Sequence, residues 1–187
     1  FLILSGYLRQ KYGLLLPLSF SASICFEQVY EEIEGDSAST TELYALLSAL
    51  SGLPLKQSIA VTGSVNQHGQ VQPVGAINEK IEGFFSTCQV KGGVNGQGVI
   101  IPRANVKNLM LKEEVIEAVR KGKFHIWAIN NVDEGLQILT GVPAGEQAPD
   151  GSYPEGTVHH LVVKRLEFFN QQSKIQARSK RTKKLSS

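Results

Sequence analysis

The sequence predicts an α/β (α+β) layered domain, and two patterns lead to this fold class. Leucines recur at helical spacing in residues 39–51, whereas 57–62, 98–102 and 123–129 read as short strands. Helices and strands alternate along the chain, and one pair of strands is separated by a short polar segment containing glycine. We therefore expect a mixed sheet with a hairpin and packed helices.

The first two predicted elements are a helix and a strand. Residues 1–12 are dense in Leu and Ile and stop at Gly13, which is typical of a helix with a C-terminal glycine. Residues 18–26 alternate apolar side chains with Ser and Cys. This period of two predicts a half-buried strand.

The middle of the chain continues with a helix and a hairpin. Ser39 and Glu42 match a capping box at the start of the predicted helix 39–51. Residues 57–62 and 70–74 then read as two short strands. Because the segment between them is polar and contains glycine, the pattern predicts that they pair as a hairpin.

The remaining elements follow in regular order. Asn78 is predicted to cap a helix that continues to about Cys88, and a glycine-rich loop leads into the buried strand 98–102. A helix is predicted over 103–120. The strand 123–129 and a last helix, 132–140, complete the domain.

Charge and composition divide the chain into three parts. Residues 1–141 form the predicted domain, and residues 142–156 are a linker rich in Pro and Gly. Residues 157–187 are a basic extension, in which a helix over 155–171 is followed by disorder. The near-neutral net charge of +2 therefore hides an acidic body and a basic tail.

Several classes of protein are disfavoured by what the sequence lacks. Cys25 and Cys88 are too few for a disulfide framework, and no metal-ligand spacing of His or Cys occurs. No GxxxxGK[ST] motif is present, so we expect no ATP site, no other cofactor and no metal in this chain. No apolar run approaches the ~20 residues of a membrane span, which favours a cytoplasmic protein.

The run EGDSAS, Glu34 to Ser39, offers a candidate nucleophile. A serine just before a helix lies near free backbone N–H groups and the positive end of the helix dipole, which suit the anionic oxygen of an acyl-transfer intermediate. The alternative is that Ser37 or Ser39 is only an N-cap. This run alone does not decide between the two roles.

The run VGAINEKIEGFF, Val74 to Phe85, offers a candidate base. Lys80 falls in the first turn of a predicted helix, where the dipole disfavours an ammonium group. A buried neutral amine there could take a proton from a serine hydroxyl. The alternative is a surface lysine beside Glu79 and Glu82.

Taken together, the two runs resemble the proteolytic domain of the Lon family of ATP-dependent serine proteases, in its EGDSAS subfamily. Lys80 follows Ser37 by 43 positions, and the segments Thr62–Ser64 and Gly69–Gly75 also match. The resemblance covers about residues 1–141. It implies the Lon proteolytic-domain fold, with Ser37 as nucleophile and Lys80 as general base.

The resemblance also implies roles for four neighbours. Thr62 would hydrogen-bond the lysine amine, or be only a strand residue. Asp36 would shape the loop or steer the lysine, or be an ordinary turn residue. Gly35 would allow a tight approach, and Ala38 would contribute to the oxyanion site.

For the whole protein, the resemblance implies an ATP-dependent endopeptidase acting on protein substrates. The ATPase module, with its ATP and Mg²⁺, would lie upstream, and the full-length protein would assemble into a hexameric ring. Because the chain starts at Phe1 rather than Met, we expect it to be a fragment that lacks the N-terminal strands of the domain.

Two rival interpretations remain open. A Ser–His hydrolase would take its base from His68 or His125, since His159 and His160 lie beyond the linker. A non-catalytic domain would use the basic tail to bind nucleic acid or a partner subunit.

Overall fold

The computed structural model describes residues 2–13, 18, 20–25 and 36–185. It confirms the α/β class, because helices pack on a three-stranded parallel sheet and on a separate two-stranded hairpin. The strands are β1 (Ile59–Val61), β2 (Ser64–Val65), β3 (Val71–Gln72), β4 (Gln97–Pro102) and β5 (Phe124–Ile129). The helices are α1 (Leu2–Tyr12), α2 (Ser39–Ser51), α3 (Ile77–Val90), a 3-10 helix (Arg103–Asn108), α4 (Glu113–Arg120), α5 (Val132–Thr140) and α6 (Val158–Leu185).

The parallel sheet has β4 at its centre, between β1 and β5. Val99, Ile100 and Ile101 of β4 are all buried, as expected of a strand covered on both faces. β1 pairs with β4 from Ile59 to Val61. The C-terminal end of β1 is therefore fixed against the best-packed strand of the domain.

The predicted pairing of 57–62 with 70–74 is wrong. Ile59–Val61 joins the parallel sheet, and the hairpin forms between β2 and β3, with Val65 opposite Val71. The chain passes from the sheet into the hairpin through Thr62 and Gly63. A short apolar run does not reveal its partner strand, and here β1 pairs with β4 instead.

The helices predicted over 39–51 and 132–140 are confirmed with these bounds, and the helix predicted from Asn78 to about Cys88 is observed as Ile77–Val90. α2 is followed by Gly52 and α5 by Gly141, both with the positive φ that glycine adopts readily. The helix predicted over 103–120 is interrupted, because a 3-10 helix and α4 are separated by residues 109–112. Asn78 does not cap α3, whose N-cap is Ala76.

The first helix is confirmed, whereas the next predicted strand is not seen. Of the stretch 18–26, residues 18 and 20–25 are described, and they belong to no strand. Leu18, Phe20 and Ile24 are half-buried against the core, and the ring of Phe20 lies 6.2 Å from that of Phe169. Ala22, which also belongs to the alternating pattern, is exposed.

The C-terminal helix packs on the body rather than trailing from it. α6 begins at Val158 and extends to Leu185, past the predicted helix 155–171 and through the stretch expected to be disordered. Val158, Val162 and Leu166 form a buried stripe that packs along α2. Beyond Asn170, residues 171–176 are exposed.

A chain of buried polar contacts ties α6 to α1 and α5. The His159 ring is fully buried, with Nε2 2.9 Å from Asp133 Oδ1 and Nδ1 2.6 Å from the Tyr12 hydroxyl. Because a carboxylate only accepts, Nε2 carries the proton and Nδ1 accepts from Tyr12. Lys11 Nζ completes the group, 2.9 Å from Asp133 Oδ2.

Both His159 and Asp133 have a lowered pKa in the folded chain, which favours the fold at neutral over acidic pH. Desolvation lowers the pKa of His159, although Asp133 opposes the shift. Burial alone would raise the pKa of Asp133, but its contacts with His159 and Lys11 lower it to about 2. In both cases the unfolded chain takes up the proton first, so the free energy of unfolding decreases as the pH falls.

In the described residues, no helix combines the length and apolarity that crossing a membrane requires. Nor do these residues bring together three or more His, Cys, Asp or Glu side chains in an arrangement able to hold a metal ion.

His159 provides the test of this buried group. We expect His159→Gln to lower the free energy of unfolding at pH 7.5 by about 1–3 kcal/mol, because buried partners lose their hydrogen bonds. It should also flatten the loss of stability of the wild type between pH 7 and 5. Urea unfolding at both pH values measures this. The exposed His68→Gln is the control, and an unchanged pH dependence in His159→Gln would contradict the assignment.

Candidate active site

Ser37 lies in the loop directly before the N-cap of α2. Asp36 C=O accepts the N–H of Ser39 at 3.0 Å, and Ala38 occupies the N-cap position. The predicted capping box is wrong, because no side chain caps α2 and Ser39 Oγ accepts the N–H of Val65 at 3.0 Å. The helix end beside Ser37 thus lacks a side-chain cap.

The turn after β1 holds this loop in place. Thr62 N–H donates to Ile100 C=O at 3.1 Å, which continues the β1–β4 pairing by one residue. Gly63 N–H then donates to Ser37 C=O at 2.9 Å. The Gly63 C=O accepts from Thr40 twice, from its N–H at 3.2 Å and from Oγ1 at 2.8 Å.

Gly63 allows this close approach because it has no side chain. A Cβ at this position would lie 3.1 Å from Val71 Cγ1, 3.2 Å from Thr40 Cγ2 and 3.3 Å from Thr40 Oγ1. These contacts are tighter than ordinary van der Waals packing. The absence of a side chain at Gly63 therefore allows its backbone to lie close to Thr40 and Val71.

Lys80 comes from the first turn of α3, as predicted. Its N–H donates at 3.1 Å to the C=O of Ala76, whose positive φ of 55° is rare for a residue other than glycine. The approach to the helix is held by Asn105, whose buried amide bonds both the N–H and the C=O of Val74 at 2.9 Å. Asn78 contacts Asn108 C=O and Met110 N–H instead of capping α3.

One open pocket of about 290 Å³ brings Ser37 and Lys80 together. Both side chains are half-buried, and Thr62 at the end of β1 is only 9% exposed. No hydrogen bond joins Ser37 Oγ to Lys80 Nζ among the contacts of the described residues. The pocket is lined by two helices and two strands, through Ser37, Ala38, Thr41, Ala60, Val61, Thr62, Lys80 and Val99.

The six residues singled out from the sequence have different locations. Ser37, Ala38, Thr62 and Lys80 line the pocket. Asp36 does not, since its Oδ2 accepts the hydroxyl of Ser64 at 2.7 Å. Gly35 lies outside the described residues.

The sequence did not identify four of the residues that line the pocket, nor the contacts made by Ser39 and Ser64. Thr41 lies one helical turn after Ser37, a spacing that could have indicated it. Ala60, Val61 and Val99 could be found only by pairing β1 with β4. The contacts of Ser39 and Ser64 could not be predicted, because their partners depend on the position of the hairpin.

The histidines of the rival hydrolase do not line this pocket. His68 is exposed on the turn between β2 and β3, and His125 stacks on Trp127 within β5, their rings 5.3 Å apart. Both ring nitrogens of His159 are hydrogen-bonded elsewhere, to Tyr12 and to Asp133. The pocket thus offers an amine beside the serine rather than an imidazole.

The family model described as "Lon protease (S16) C-terminal proteolytic domain" matches residues 32–141, more than half of the chain. The chain belongs to the Lon protease family. It is 52% identical over 138 residues to a protein of Escherichia coli (strain K12) named "Putative Lon protease homolog", covering 74% of this chain and 24% of the relative.

Two further relatives support the assignment. A protein with the same name from Haemophilus influenzae is 43% identical over 150 residues, covering 80% of this chain and 25% of the relative. An "Archaeal Lon protease" of Thermococcus kodakarensis is 35% identical over 119 residues, covering 64% of this chain and 17% of the relative. The chain spans about a quarter of the first two relatives. The family resemblance and the protease class are thereby confirmed.

Thr62 is the pocket residue whose role the resemblance left open. We expect Thr62→Val to lower peptidase kcat about fivefold, the equivalent of one neutral hydrogen bond, because the Thr62 hydroxyl borders the pocket that contains Lys80. Steady-state peptide hydrolysis and thermal unfolding should be measured together. A role confined to β propensity would leave kcat unchanged.

Proposed function

We propose that this chain is the proteolytic part of a Lon-type endopeptidase with a Ser37–Lys80 dyad. The observation that supports it most is the shared pocket, which is lined by a serine just before one helix, a lysine in the first turn of another, and residues of β1 and β4. These residues also have the types and order that the resemblance requires.

Acylation would begin with proton transfer within the dyad. The neutral amine of Lys80 takes the Ser37 hydroxyl proton, and the Oγ forms a bond to the scissile carbonyl carbon. The carbonyl oxygen becomes an oxyanion near the N–H groups of Ser37 and Ala38, at a helix end without a side-chain cap. Lys80 then returns the proton to the leaving amine as the C–N bond breaks.

Deacylation would use the same base. Lys80 takes a proton from a water molecule, whose oxygen attacks the ester carbonyl of the acyl-enzyme. The ester bond breaks, Ser37 Oγ regains the proton, and a peptide acid leaves. Since the pocket is half-open, both the substrate and this water can enter from solvent.

Ser37 Oγ and Lys80 Nζ are expected to come within hydrogen-bonding distance only when substrate binds. In structures without substrate, catalytic hydrogen bonds are often long and tighten only when substrate binds. Thr41 and Thr62 line the same pocket and can orient the Lys80 amine when substrate binds.

The finer properties of the complete protein follow as part of the proposal. ATP and Mg²⁺ would act at an ATPase module outside this sequence, which has no P-loop motif. The proposal also holds that the complete protein degrades protein substrates, assembles into a hexameric ring and is located in the cytoplasm. An ATP-stimulated rate of protein degradation by the complete protein is the corresponding measurement.

The dyad is tested by removing each member. We expect Ser37→Ala and Lys80→Met to lower peptide hydrolysis by about a thousandfold or more without changing the unfolding midpoint by more than a few degrees. Lys91→Met, at the exposed end of the same helix α3, is the matched control.

The Ser–His alternative predicts the opposite pattern. There, His68→Ala or His125→Ala would abolish hydrolysis, and Lys80→Met would be silent. Full activity of a correctly assembled Lys80→Met protein would eliminate the dyad.

The basic tail is a second, separate candidate for function. The last buried residue described in α6 is Asn170, residues 171–176 are exposed, and residues 171–187 contain six Lys or Arg and no acidic residue. A helix of this charge suits a polyanion such as nucleic acid. We expect it to act independently of the peptidase pocket.

Truncation separates the tail from the packed part of α6. A chain ending at Asn170 should keep peptidase activity but lose salt-sensitive binding to double-stranded DNA, as measured by fluorescence anisotropy. A chain ending at Gly151 should be unstable, since it lacks the buried Val158, Val162 and Leu166. Equal DNA binding by the full chain and the chain ending at Asn170 would contradict the assignment.

A further inference from the structure

The nucleophile loop is joined to β2 by two side-chain hydrogen bonds in addition to those of Gly63. Ser64 Oγ donates to Asp36 Oδ2 at 2.7 Å, and Val65 N–H donates to Ser39 Oγ at 3.0 Å. Asp36 comes one residue before Ser37 and Ser39 two residues after it. The backbone that carries the nucleophile is therefore held on both sides.

The two partners of the Ser64–Asp36 bond differ in their exposure to solvent. Ser64 is only 3% exposed, whereas Asp36 lies at the surface. A hydroxyl that donates to a carboxylate makes a charge-assisted bond, which is shorter and stronger than one between neutral groups. The 2.7 Å separation fits that class, while Gln72 Oε1 is a distant second acceptor at 3.5 Å.

The partner of Asp36 also bears on its chemical role. A carboxylate beside a nucleophile can act by its charge on the lysine, or by holding the loop. Asp36 is bonded to Ser64, and the pocket that contains Lys80 is not lined by Asp36. The contact favours holding the loop.

We propose that Ser64 is a positioning residue that acts through Asp36 to place Ser37 against Lys80. This inference rests on the proposed function of Ser37 as nucleophile. The hydroxyl of Ser64 fixes the Asp36 side chain, and with it the direction in which the chain enters the loop. Small displacements of a nucleophile are costly, so loss of this bond should lower kcat by roughly 10- to 100-fold while KM changes little.

A double-mutant cycle in the complete protein tests the proposal, with Ser64→Ala, Asp36→Ala and the double variant. If the bond between them carries the effect, the double variant should be no slower than the slower single variant. Asp36→Asn should retain kcat within about threefold, because its amide oxygen still accepts from Ser64. Ser86→Ala, an exposed serine on α3, is the control.

Each outcome has a defined meaning. Multiplicative losses in the double variant, or an Asp36→Asn as slow as Asp36→Ala, would overturn the positioning role. A purely structural role would lower the unfolding midpoint but leave kcat unchanged at temperatures where the protein is folded, and would overturn it too. If Ser64→Ala does not fold, the comparison of Asp36→Asn with Asp36→Ala decides, since Asp36 is exposed.

Ser37→Ala in the same series reports on the proposed function itself. An active Ser37→Ala would overturn the nucleophile and, with it, the positioning residue. An inactive Ser37→Ala with a multiplicative cycle would overturn the positioning role alone.

Discussion

The backbone of Gly63 makes the contacts on which the geometry of this site depends. It bonds the loop at Ser37 through its N–H and the first turn of α2 at Thr40 through its C=O. Its neighbour Thr62 is still paired with Ile100 of the central strand. The position of the nucleophile is thus set by the parallel sheet, through its pairing with the buried central strand β4.

α2 is also held by α6. The buried stripe of α6 packs along α2, and the group of Tyr12, Asp133 and His159 fastens α6 to α1 and α5. The family match ends at residue 141, whereas this packing involves residues beyond it. In this chain, a C-terminal helix outside the matched region therefore supports the helix that follows the nucleophile.

Much of this arrangement could be predicted from the sequence. Apolar periodicity located the helices, and the two motifs at a fixed separation identified the family and the pocket residues Ser37 and Lys80. Strand pairing could not be read, because a three-residue strand such as β1 has no signal for its partner. The contacts of Ser39, Ser64 and Asn78 could not be predicted either. Such side chains usually cap helices or stabilise turns, but here they join segments that are distant in the sequence.

The most direct test of the account is the site of reaction with diisopropyl fluorophosphate, found by peptide mass mapping. This reagent phosphorylates activated serine hydroxyls, so it reports the nucleophile and its base together. The account predicts that Ser37 is labelled and that Lys80→Met labels far more slowly. Labelling of a different residue, or labelling of Lys80→Met at the rate of the wild type, would contradict the dyad.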